Sequence, residues 1–162
     1  MSNDAATPSP LPPVLAALAL KRGVGLGGLS VETRAWALAV AARCLPPGEG
    51  DAHGDDEAGV NRRLRAVLAG DAAFLDTDHV ELRRWLVDSG WWRRDGFGRR
   101  YHRTPAAALP PLLAAIDAAL EQALSDGAAS SLGERLSAHR DAEAARRAAR
   151  QAAWRAGPTT ST

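Results

Sequence analysis

The chain has 162 residues, a formal net charge of +1, 46% hydrophobic residues and a single cysteine. That length suits one ordinary domain with a modest core, while the charge rules out a nucleic-acid binder recognisable by global basicity. The lone Cys44 rules out an intramolecular disulfide and a cysteine-built zinc cluster. No apolar run approaches the roughly 18 residues of a membrane span and no signal-peptide pattern opens the chain, so the default expectation is a cytoplasmic protein.

Residues 1–13 (MSNDAATPSPLPP) are rich in Pro, Ser and Ala and are expected to be disordered. Val14 to Arg22 is long enough for two helical turns. Gly23 to Gly28 loosely matches G-x-G-x-x-G spacing. No strand precedes it and no acid follows at the ribose-binding distance, so a flexible linker is expected rather than a dinucleotide site. Residues 1–29 are therefore read as a flexible N-terminal segment.

Ser30 caps a first helix from about Val31 to Leu45, with Trp36, Leu38, Ala39, Val40 and Ala42 on a broad apolar face that places Cys44 in the core. Pro46-Pro47 ends it. An acidic loop, Gly48 to Asp55, leads to a second helix from about Asp56, in which Val60, Leu64, Val67 and Leu68 form the apolar stripe and Arg62, Arg63 and Arg65 are left outside. The third helix starts at the Asp78 cap, with Glu81 spaced for a capping box, and stops at Ser89-Gly90. Leu82, Trp85, Leu86 and Ser89 share a face, and Arg84 and Asp88 are spaced as an i,i+4 pair.

Two short aromatic and basic segments, 91–95 and 99–103, flank Asp95-Gly96-Phe97-Gly98, a hairpin-turn signal. A hairpin closing there sets Trp92 opposite Tyr101 and Arg94 opposite Arg99 on one side, with the Trp92 and Tyr101 pair as the bridge to the core, and puts Arg93 and Arg100 on the other side with Trp91 and His102. After Thr104-Pro105, residues 109–124 form an amphipathic helix through Leu112, Leu113, Ile116, Leu120 and Leu124, closed by Asp126-Gly127. The tail from Leu132 to Arg155 is helix-prone and Ala-rich, with too few large apolar residues to fix its own position.

Three helices, a hairpin and a further helix make an α+β, mostly α, winged helix-turn-helix domain over residues 30–125, followed by an Ala/Arg-rich extension over 126–162. In that plan the second helix crosses the nucleic-acid backbone, the third enters the major groove, and the hairpin wing touches phosphates. Charge is uneven in the matching sense: residues 60–103 hold ten Arg against six acids, whereas residues 49–57 hold five acids and no Lys or Arg. Arg outnumbers Lys 19 to 1, which also fits a GC-rich bacterial coding bias and cautions against assigning every Arg a role.

Arg83 and Arg84 are the candidates for reading bases or phosphates from the third helix; the structural alternative has Arg84 paired with Asp88 or Glu81 and Arg83 clamping the second helix. Arg93, Arg99, Arg100 and Arg103, with Arg94, are candidates for a phosphate-gripping wing, against a hairpin whose charges merely discourage edge-to-edge pairing. His53, His79, His102 and His139 lie in different elements with no partner at metal-ligand spacing, and no nucleophile motif accompanies Asp76, Asp78 and His79. No metal, cofactor or catalytic set is expected.

The run Leu82 to Gly90 (LRRWLVDSG), followed by Arg94, a Gly-containing turn and Tyr101, resembles the signature of the bacterial domain of unknown function 2087 family. The likeness continues upstream through Val60-Asn61 and Leu64 and covers about residues 30–104. It implies an association with helix-turn-helix regulators and no defined activity. The chain departs from that pattern where a Lys-rich stretch before the first helix is replaced by Gly23 to Thr33, and where Tyr-Ser/Thr-Glu before the second is replaced by His53 to Glu57. The leading expectation is a DNA-binding or transcription-associated module on double-stranded DNA. The alternative is a non-enzymatic protein-interaction or homodimerisation module using residues 109–124 and the C-terminal tail. Convergence of Arg83, Arg93, Arg99 and Arg100 without carboxylate partners distinguishes the first from the second.

Overall fold

The computed structural model describes residues 10–48, 54–125 and 131–157. Its helix starts follow residues suited to the first turn. Pro13, with no N–H to leave unsatisfied, opens α1 (Pro13–Ala19). The Ser30 hydroxyl accepts from the Thr33 amide at 3.2 Å and opens α2 (Val31–Ala42). The next element, β1 (Asp55–Asp56), runs directly into α3 (Glu57–Ala69), whose cap Asp56 accepts from the Gly59 amide at 2.7 Å.

Asp78 caps α4 (His79–Asp88), accepting from the Val80 and Glu81 amides at 2.7 and 2.8 Å. Those amides favour the ionised carboxylate and hold Asp78 below its ordinary range. Glu81 does not close a capping box: its carboxylate accepts from the Thr77 hydroxyl at 2.8 Å instead. Gly90, at φ 88°, turns the chain out of the helix into β2 (Trp92–Arg94) and β3 (Arg100–Arg103). Finally come α5 (Pro111–Ser125) and α6 (Leu132–Ala156), the latter opened by a capping box between Ser131 and Glu134.

The three expected domain helices are therefore α2, α3 and α4, and the molecule is mostly helical with one small antiparallel sheet, a winged-helix-like arrangement. The core centres on α2. Ala35, Ala37, Leu38, Ala39, Val40, Ala41 and Ala42 are all buried, so this helix is apolar nearly all round and small enough for neighbours to approach on every side. Leu64 of α3, Leu82 and Leu86 of α4, Trp91, Trp92, and Leu120 of α5 belong to the same cluster. The helix stops three residues earlier than its apolar pattern suggests, leaving Cys44 half-buried in the turn that follows. On α5 the buried face is Leu113, Ile116, Leu120 and Ala123, whereas Leu112 stands half-exposed.

Both ends of the described chain contradict their reading as loose extensions. Leu15 and Leu18 of α1 are fully buried. The glycine run after it is pinned and is not a linker: the Val24 amide donates to Phe74 O at 3.3 Å, the Asp76 amide donates to Val24 O at 3.0 Å, and Leu26 is buried. Leu132 and Leu136 are buried where the first turns of α6 pack on α1, and the Gly133 amide donates to Asp71 at 2.7 Å. Two large apolar residues suffice here because α1 supplies the other half of the contact. The closing Asp126-Gly127 lies outside the described residues.

The sheet order is β1-β3-β2. The hairpin pairs Trp92 with Arg103, Arg93 with His102 and Arg94 with Tyr101, a register two residues away from Trp92 opposite Tyr101. The turn closes one residue further along the chain: the Asp95 amide donates to Arg100 O at 3.0 Å, and the Asp95 carboxylate accepts from the Arg99 amide at 2.7 Å. An even shift preserves faces, so Trp92 and Tyr101 still share the core side, now as a diagonal pair with ring centroids 6.4 Å apart in edge-on contact. The unexpected third strand, β1, pairs Asp55 with Tyr101 and Asp56 with Arg100. No helix among the described residues is long and apolar enough to cross a membrane.

Candidate nucleic-acid interface

The arginines divide by what holds them. On α4, Leu82 and Leu86 face the core and the outward face presents Val80, Glu81, Arg84 and Asp88. Arg83 lies on the flank against α3, its side chain only 11% exposed. It donates to Glu57 at 2.9 Å and to Asn61 at 2.8 Å, and its guanidinium sits 5.8 Å from the Tyr101 ring centre. It therefore clamps α3 to α4, the structural one of its two expected roles. Arg84 is exposed and forms no ion pair with Asp88 or Glu81, so the expected i,i+4 pair is not made.

On the wing, the Arg93 and Arg99 side chains stand in solvent with no partner among the described residues. Arg94 lies over the Tyr101 ring at 5.1 Å. Arg100 donates to Gly54 O at 2.7 Å and so ties β3 to the strand beside it. Arg103 is turned inward, its side chain 15% exposed, and shares Asp117 of α5 with Arg43 at 3.8 and 3.2 Å. Burial and the neighbouring Arg43 charge together lower the pKa of Arg103 from its ordinary value, against the pull of Asp117. Arg43 also pairs with Glu121 and holds that carboxyl below its usual range.

The hairpin register puts Arg93, Arg100 and His102 on one side of the sheet. Arg100 meets Arg62 and Arg63 of α3 around a polar cleft that also contains Asp55 and Asp56. Arg63 is neutralised by Asp55 and donates to Cys44 O at 3.2 Å, whereas Arg62 is exposed without a partner among the described residues. Arg62 was visible in the sequence as an outward residue of the second helix. Its neighbourhood with Arg100 was not, because β1 brings them together.

His79 lies 3.2 Å from Arg65, and His53 and Asp51 of the acidic loop fall outside the described residues. Among the described residues no three His, Cys, Asp or Glu side chains are grouped to hold a metal ion.

Residues 32–103 match one family model, described as an uncharacterized protein conserved in bacteria (DUF2087). The match runs from the start of α2 to the end of β3, and α1, α5 and α6 lie outside it. No curated protein and no solved structure matches the chain.

Proposed function

Proceeding from the place of residues 32–103 in the DUF2087 family, we propose that this chain is a DNA-binding or transcription-associated winged-helix module that grips the duplex backbone with its wing. The observation that carries this reading is the contrast between Arg93 and Arg99, which stand in solvent with no partner among the described residues, and Arg83 and Arg103, which are spent inside the fold. Phosphate contact needs only an accessible cation, whereas base reading needs donors aimed from a groove-seated helix. The outward face of α4 sets one arginine between two acids, Glu81 and Asp88, and is poorly suited to a polyanion. Binding of this kind is weak and largely indifferent to sequence.

Fluorescence anisotropy on labelled duplexes across a salt series tests it. Replacing Arg93 and Arg99 with Ala weakens binding to all sequences and flattens the slope of log K against log salt by about 0.9 for each phosphate no longer neutralised. Absence of binding at low salt, or binding indifferent to both substitutions, removes this reading. A protein-interaction module is then favoured by Phe97, 81% exposed at the tip of the wing. Light scattering and partner capture with Phe97→Ser would follow.

A further inference from the structure

We infer that the cleft between α2, α4 and the start of α5 binds a small apolar carboxylate. Its walls are Ala35 and Leu38 of α2, Trp85 of α4, Trp91, and Leu113 of α5, and it encloses about 310 Å³, near the lower end of the range for small-molecule sites. Val31 and Leu112 stand exposed among its lining residues. An apolar body of roughly a dozen heavy atoms suits this volume.

The polar chemistry of the cleft is one-sided. Among the described residues, three buried side-chain nitrogens lack any acceptor: Arg34 Nε, Arg83 Nε and Trp91 Nε1. Two of the three belong to residues that line this one cleft. Trp91 is only 1% exposed, so its unpartnered indole N–H carries a desolvation cost that a hydrogen-bond acceptor would relieve. The Arg34 guanidinium is held in place, stacked 4.7 Å over the Trp85 ring centre and anchored by one N–H donating to Leu29 O at 2.9 Å. No Asp or Glu lines the cleft to neutralise it. Ser89, also on the wall, already donates to Leu86 O at 3.4 Å. A cleft with apolar walls, a positioned cation and no acid, whose lining residues Arg34 and Trp91 each bury an unpartnered N–H, selects an acceptor-bearing anion with an apolar tail. Because α5 lies outside the family match, part of this site is contributed by the chain beyond residues 32–103.

Calorimetric titration of the full chain with 4-phenylbutanoate and with 4-phenylbutan-1-ol, which share a tail and differ in charge, tests the inference. The carboxylate is expected to bind at least about tenfold more tightly than the alcohol, the margin of a charge-assisted hydrogen bond. Arg34→Met, which keeps the aliphatic stem against Trp85, should abolish that preference. In nitrogen-proton correlation spectra the Trp91 indole signal, assigned with Trp91→Phe, should move on carboxylate addition. Absence of carboxylate binding, equal binding of the two probes, an unshifted Trp91 indole, or an unchanged preference in a folded Arg34→Met variant would each overturn the assignment. The wild-type comparison of the two probes stands even where a variant does not fold.

Discussion

At the scale of single residues, the indole of Trp92 joins wing to helices: it is 1% exposed, donates to Ala42 O at 3.1 Å and meets Tyr101 edge-on. Trp92→Ala is expected to cost about 3–5 kcal/mol, and Trp92→Phe less, since the latter keeps most of the packing and loses the bond to Ala42. Urea denaturation midpoints check both; an unchanged midpoint for Trp92→Ala would show the wing unpacked from the helices. Cys44 offers a second test. Burial, opposed by the nearby Arg63 charge and aided by Asp55, pushes its thiol up to about 12. In the native protein at pH 8 it should therefore react with a disulfide reagent far more slowly than in urea. The same scale shows where sequence reasoning stops. Arg83 was compatible with a groove contact as well as with a helix clamp, and Glu57 and Asn61, more than twenty residues away in the chain, decided for the clamp.

At the scale of elements, β1 illustrates a strand that its own residues do not announce. Asp55-Asp56 has no alternating apolar pattern, and its extended form comes from pairing with β3. Gly54 enters that pairing at close range: a Cβ there would meet Tyr101 O at 2.7 Å and Arg100 Cβ at 3.0 Å. Gly54→Ala should push β1 off β3, cost about 1–3 kcal/mol, and expose the amides of residues 55 and 56 to hydrogen exchange. The helix α6 behaves in the opposite way. Its first turns are docked through Leu132, Leu136 and Gly133, but every described residue beyond 143 is exposed. Deleting residues 144–162 is therefore expected to leave the melting temperature almost unchanged. A large drop would show that the distal half of α6 is held by contacts of its own.

At the scale of the whole molecule, the family region is not a self-sufficient packing unit. Residues 32–103 supply α2, α3, α4 and the sheet, while α1 and α5 cover α2 from outside that range. Leu15 and Leu18 are each fully buried, and a buried leucine cut to alanine costs about 2–5 kcal/mol. Removing residues 1–22 takes both away and should unfold a protein of ordinary marginal stability, about 5–15 kcal/mol. Thermal denaturation of the full chain against a fragment of residues 23–162 checks this. Equal stability would return the segment to the role of a loose extension.

The sequence by itself determined the helices, the polar caps Ser30 and Asp78, the hairpin and the winged-helix order, because caps, glycine stops and apolar periodicity are local signals that survive without knowledge of neighbours. It also determined which side of the hairpin faces the core, since a two-residue shift in register leaves the faces unchanged. Tertiary structure alone decided the third strand, the burial of Leu15 and Leu18, and which arginines remain free. Each of those depends on partners distant in the chain: Gly54 for Arg100, Asp117 for Arg103, Glu57 for Arg83. An arginine's spacing fixes the face on which it emerges, but the carboxylate or carbonyl it meets there is chosen by packing.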